Sequence, residues 1–140
     1  MWNVIVCDHN KAEQEKLTAY VQNCCKDAGV SVQIQGCADW TELAQKIKKA
    51  EPDMVIVAQN GVEGLDIITS ARLLSGKIVW FSDLDFGVQA YRLCVAYFSK
   101  KPITRPKVER ALARCMEVRL EVENSRFGAY REEEVHGRDF

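Results

Sequence analysis

Read from its amino end, the chain alternates two hydrophobic rhythms. Asn3 to Cys7 is a short apolar run, and Ala12 to Ala28 then places Leu17, Val21, Cys24 and Ala28 on one helical stripe, stopped by Gly29. Val30 to Cys37 alternates, with Val30, Val32, Ile34 and Gly36 on one face and Ser31, Gln33 and Gln35 on the other. This predicts a half-exposed strand near a sheet edge. Asp39 is placed to cap a second helix carrying Trp40, Leu43, Ala44 and Ile47 inward, closed by Pro52. The run Met54-Val55-Ile56-Val57 follows, apolar at every position, as expected of a strand buried on both faces.

The second half repeats the pattern. Glu63 to Leu74 predicts a third helix ended by Gly76, and Lys77 to Phe81 a fourth strand with Ser82-Asp83 at its end. Leu84 to Cys94 predicts a weaker fourth helix, its propensity lowered by Gly87, and Val95 to Ser99 a fifth strand. Thr104 or Arg105 opens a last helix, with Pro106 in its first turn and Val108, Ala111, Leu112 and Cys115 inward. Strand and helix alternate five times without a hairpin signal, the pattern of a parallel α/β sheet covered on both faces. Beyond Arg119 the periodicity is lost. The expected division is a domain over 1–118 and a partly disordered extension over 119–140, in which Phe127, Tyr130 and Phe140 could anchor a partner.

Composition narrows the function classes. One domain of 140 residues can bury a core without metals or disulfides. A net charge of −1 supplies no general attraction for nucleic acid or anionic membrane, and no apolar run approaches the ~20 residues of a bilayer span. No secretory leader is evident, so a cytoplasmic protein is expected. The six cysteines include no C-x-x-C pair and mostly fall on apolar stripes, as buried free thiols do. The turn Asp8-His9-Asn10-Lys11-Ala12 after the first strand lacks glycine, which argues against a nucleotide- or flavin-binding enzyme on this scaffold.

Chemistry in such a sheet collects where strands end. Val6-Cys7-Asp8-His9 resembles the acidic pair after the first strand of a response-regulator receiver domain. Pro52-Asp53-Met54-Val55-Ile56-Val57-Ala58 resembles the run leading to its phosphoacceptor aspartate. Val79-Trp80-Phe81-Ser82 is similar to its fourth strand with a terminal Thr/Ser, and Phe98-Ser99-Lys100-Lys101-Pro102-Ile103 to its fifth strand with an aromatic before Lys-Pro. The stretch from Ala90 to Ile103 is closest to receivers that precede LytTR DNA-binding domains. The resemblance covers about residues 2 to 118 and implies a flavodoxin-like five-stranded parallel sheet of order 2-1-3-4-5.

The resemblance also implies a pocket of Asp8, His9, Ala58, Ser82 and Lys101, with Phe98 as the switch aromatic. Two departures bear on function. Ala58 stands at the phosphoacceptor position, and a methyl group cannot take a phosphoryl group; His9 replaces the second acid. Of the family's Mg²⁺ set, only Asp8 and Asn60 remain as remnants, so no metal and no cofactor are expected. The loop after Ala58 lacks the usual proline and is about two residues short. Lys101, deprived of its usual partner, is expected to pair with Asp8, and Ser82 to cap its own loop or the fourth helix.

What remains is a pseudo-receiver, non-enzymatic and acting by protein–protein contact, as a homodimer or with a partner. The family's common interface is the fourth helix, fifth strand and fifth helix, here carrying Asp85, Gln89, Arg92, Tyr97, Lys107, Arg110 and Arg114. Alternatively, the chain is the input half of a LytTR-type regulator whose output domain is absent. Direct DNA binding and membrane association are not expected.

Overall fold

A computed structural model describes residues 1–73 and 77–116. The element order is β1 Trp2–Cys7, α1 Lys11–Asp27, β2 Val32–Cys37, α2 Trp40–Lys49, β3 Met54–Val57, α3 Gly61–Ala71, β4 Ile78–Ser82, α4 Gly87–Arg92, β5 Tyr97–Lys100 and α5 Arg105–Cys115. The strands form one parallel sheet in the order β2-β1-β3-β4-β5, as expected. Gly76 and the extension beyond 116, with Phe127, Tyr130 and Phe140, lie outside the described residues.

The sheet is buried on two sides because its central strands are apolar at every position. On one side Val4, Val6, Ile56 and Phe81 meet Leu17, Val21, Val108 and Leu112 of α1 and α5. On the other, Ile5, Val55, Val57 and Trp80 meet Leu43, Ile47 and Ile68 of α2 and α3. Val30, Val32 and Ile34 pack on the α1/α5 side, the face assigned to them by alternation. Capping follows local chemistry: Asn10, Asp39 and Thr104 each accept the backbone N–H three residues on, opening α1, α2 and α5.

The expected second strand starts two residues later, at Val32, and the fourth helix and fifth strand also start later than expected. The fourth helix starts at Gly87, not Leu84, and the fifth strand at Tyr97, not Val95. Polar side chains explain the later start of the helix: Ser82 Oγ accepts Leu84 N–H at 3.2 Å and Asp85 Oδ1 accepts Gly87 N–H at 3.0 Å. These bonds hold residues 83–86 in a loop while Phe86 stacks on Trp80, with ring centroids 5.1 Å apart. Cys94, in the left-handed region at φ 58°, reverses the chain before β5.

Five cysteines are buried free thiols, and Cys94 is exposed. Burial raises Cys24, Cys25 and Cys115 to about 12, 11 and 12. Cys7 is pushed up by its hydrogen bond to Cys37, its in-register neighbour, and by burial. Such thiols are poor nucleophiles at neutral pH.

Candidate functional site

The carboxyl ends of β1, β3, β4 and β5 converge on a small polar cluster. Asp8 follows β1 directly and is 2% exposed. Its Oδ1 accepts the Asn10 N–H at 2.9 Å, while Oδ2 is buried without a hydrogen-bond donor among the described residues. Ala58 follows β3, its N–H bonded to Cys7 O and its methyl in the core. Lys101 follows β5, preceding a cis bond to Pro102, and its N–H bonds Ser82 O at 2.8 Å.

The lysine does not pair with Asp8 as expected from sequence. Its ammonium donates to Glu13 Oε1 at 2.5 Å and to the Ala58 carbonyl at 2.7 Å. Glu13 stands in the first turn of α1, three residues after the N-cap Asn10. In a capping box such a glutamate would reach back to the cap's own N–H. Here that N–H is already held by Asp8, so the Glu13 carboxylate is available to the lysine. The pattern Asn10-x-x-Glu13 was the sequence signal for this residue; its partner could be found only from the fold.

One carboxylate, Glu13, therefore takes the ammonium, and Asp8 is left beside them without an ion pair. Burial pushes Asp8 up to about 7, helped by the adjacent Glu13 carboxyl and opposed by the Asn10 N–H and Lys101. Once protonated, Asp8 can donate to the neighbouring Glu13 carboxylate. This donor set does not suit Mg²⁺, which wants several hard oxygen ligands. Asp8 offers one free carboxylate oxygen, and the Lys101 ammonium already neutralises Glu13. Among the described residues, no group of three or more His, Cys, Asp or Glu is arranged to hold a metal.

His9 is exposed at the rim, its backbone N–H donating to Gln59 Oε1 at 2.9 Å, beside a cleft of about 280 Å³ shared with Trp40, Glu63 and Asp66. Asn60 holds the N-cap position of α3 but makes no capping bond; Asp83 Oδ1 instead accepts Gly61 N–H at 2.9 Å. Asp83 thus ties the β3–α3 loop to the β4–α4 loop, a role its position in the sequence does not announce. Gly61 takes φ +67°, and a Cβ on Gly64 would stand 2.1 Å from the Gln59 carbonyl. Both glycines are required by the short turn after Ala58.

Ser82 is fully buried and its hydroxyl serves its own loop through Leu84 N–H. Phe98 is 2% exposed and edge-on to Trp80 at 5.2 Å. Of the interface candidates, Asp85, Gln89 and Arg92 are exposed, while Lys107, Arg110 and Arg114 are half-buried. Lys107 Nζ donates to the carbonyls of Lys100 and Pro102, and Arg114 to that of Ala96. Tyr97 is not a surface residue. Strand alternation turns it toward α5, where it is fully buried, 6.1 Å from Phe81 and beneath the Arg114 guanidinium. The exposed apolar groups of the face are Leu84, Val88 and Tyr91, around α4.

No family model matches the chain, and no curated protein does. Solved structures do. A response regulator receiver domain protein from Clostridium thermocellum shares 14% identity over 87% of this chain and 99% of its own, with a TM-score of 0.70. The chemotaxis response regulator CheY4 of Vibrio cholerae shares 20% identity over 82% and 98%, with a TM-score of 0.62. A two component transcriptional regulator AraC from Clostridium phytofermentans shares 18% over 89% and 98%, also at 0.62. At these identities the likeness concerns architecture: the chain has the flavodoxin-like fold of response-regulator receiver domains.

Proposed function

We propose that the chain is a pseudo-receiver, a signalling module of the two-component type that works by protein contact without aspartyl phosphorylation. The observation that carries this reading is Lys101. In a phosphorylating receiver the lysine must be free to meet a phosphoryl group on the neighbouring aspartate. Here it is held by Glu13 and by the carbonyl of Ala58, whose side chain has no nucleophilic atom. The pocket is a fixed internal ion pair in place of a phosphoryl-binding site, and it works without metal, cofactor or catalysis. The stretch from Ala90 to Ile103 supports descent from receivers that precede LytTR domains.

Output falls to the face of α4, β5 and α5, through a protein partner or a second copy. Leu84, Val88 and Tyr91 supply apolar contact there, and Asp85, Gln89 and Arg92 a polar rim. Among the described residues no helix is long and apolar enough to cross a membrane. The test is to treat the full chain with acetyl phosphate, and separately with beryllofluoride, each with Mg²⁺. Unchanged mass, tryptophan fluorescence and sedimentation are expected. A phosphoryl adduct on a carboxylate, or a Mg²⁺-dependent change, would overturn the reading.

A further inference from the structure

Among the described residues, the opposite edge of the sheet is open and unguarded. β2 pairs with β1 alone among the described residues, and its six residues include no charge and no proline. Edge strands of soluble proteins are ordinarily protected by such residues, by bulges or by cover. The ladder fixes which groups face outward. Trp2 N–H donates to Ser31 O at 2.9 Å and Asp8 N–H to Cys37 O at 3.0 Å, so odd-numbered residues of β2 direct their N–H and C=O toward β1. Val32, Ile34 and Gly36 therefore direct theirs to the open edge.

We propose that this edge receives β2 of a second copy of the chain, antiparallel about a twofold axis at Ile34, making one continuous sheet across the dimer. The residues suit their own copies. In this register Ile34 forms a hydrogen-bonded pair with Ile34 of the second copy, and Val32 pairs with its Gly36. Gln33 lies opposite the other copy's Gln35, where each amide offers both a donor and an acceptor. Val32 and Ile34, half-buried at the rim of the α1/α5 core, gain cover from one another.

The flanking helix adds charge complementarity. α2 lies along the glutamine face, with Lys46 Nζ donating to Gln35 Oε1 at 3.3 Å. A groove of about 410 Å³ beside β2 is lined by Glu42 at one end and by Lys46 and Lys49 toward the other. α2 is acidic in its first turn and basic in its last, and a twofold axis reverses its direction in the second copy. Glu42 then faces the last-turn lysines across the interface, an isologous pairing of unlike charges. The edge is remote from α4, so self-association here leaves that face free for a different partner.

The experiment uses sedimentation velocity on the full chain and on two paired edge variants, Gln33→Lys/Gln35→Lys and Gln33→Glu/Gln35→Glu. Both positions are exposed, and far-UV circular dichroism verifies that each variant keeps the wild-type fold. The wild type is expected to be a dimer. Each variant alone should dissociate, with Kd raised about tenfold or more by like charges placed opposite one another. An equimolar mixture of the two should re-form a one-to-one heterodimer, an outcome that general damage to the fold would not produce. A wild type that stays monomeric up to its solubility limit overturns the proposal. So does a dimer that survives both variants, or one dispersed by Tyr91→Asp on α4 instead.

Discussion

The pocket end of the sheet and the α4 face are neighbours in the fold but opposites in construction. At the pocket, polar groups are buried and, Asp8 Oδ2 apart, occupied: Lys101 is held by Glu13 and the Ala58 carbonyl, Asp8 Oδ1 by Asn10, and Ser82 by Leu84. At α4, a helix of six residues leaves Val88 61% and Tyr91 79% exposed. In a switching receiver the first region would be the adjustable part and the second would report its state. Here the pocket is closed by internal bonds, and exposed apolar area lies, among the described residues, around α4.

The largest effect is expected from opening the pocket. Lys101→Met removes the cation shared by Glu13 and the Ala58 carbonyl, leaving a partly buried carboxylate without its counter-charge. A loss of about 2–3 kcal/mol is expected, read as a lower midpoint in urea denaturation with an unchanged slope. A change below about 0.5 kcal/mol would make the pocket as dispensable as an open surface and erase the contrast.

A smaller and pH-dependent effect is expected from Asp8→Asn. The folded-state Asp8 is raised to about 7 from an ordinary value of 3.8, so the folded state binds the extra proton between those limits. Its contribution is fully present below about pH 4 and is lost as pH rises through 7. The amide of the variant cannot ionise and can still donate toward Glu13. Its stability, measured by thermal melts across pH, should fall less than wild type between pH 4 and 7, and its relative advantage should be greatest above 7. Parallel profiles for the two proteins would show that Asp8 is ionised in the folded state.

The smallest stability effect belongs to the other region. Tyr91→Asp replaces a side chain with little to lose on the folded side, and a change within about 0.5 kcal/mol is expected. Binding to a partner isolated with the wild-type chain should weaken at least about tenfold, measured by isothermal titration. Undiminished binding would move the output surface elsewhere.

The sequence by itself determined the fold. Four apolar residues in a row mark β3, alternation with glutamines marks β2, and the helical stripes show which faces are covered, because burial demands these periods wherever the sheet is assembled. It also determined the absence at Ala58, since a methyl group has no chemistry in any surroundings. What only the tertiary structure decided were relations between residues far apart in the chain. Glu13 and Lys101, Gly61 and Asp83, and Tyr97 beneath α5 are brought together by packing, and their side chains choose among several chemically adequate partners. Local pattern specifies which face a residue presents; the partner it finds there depends on which donors and acceptors are already taken.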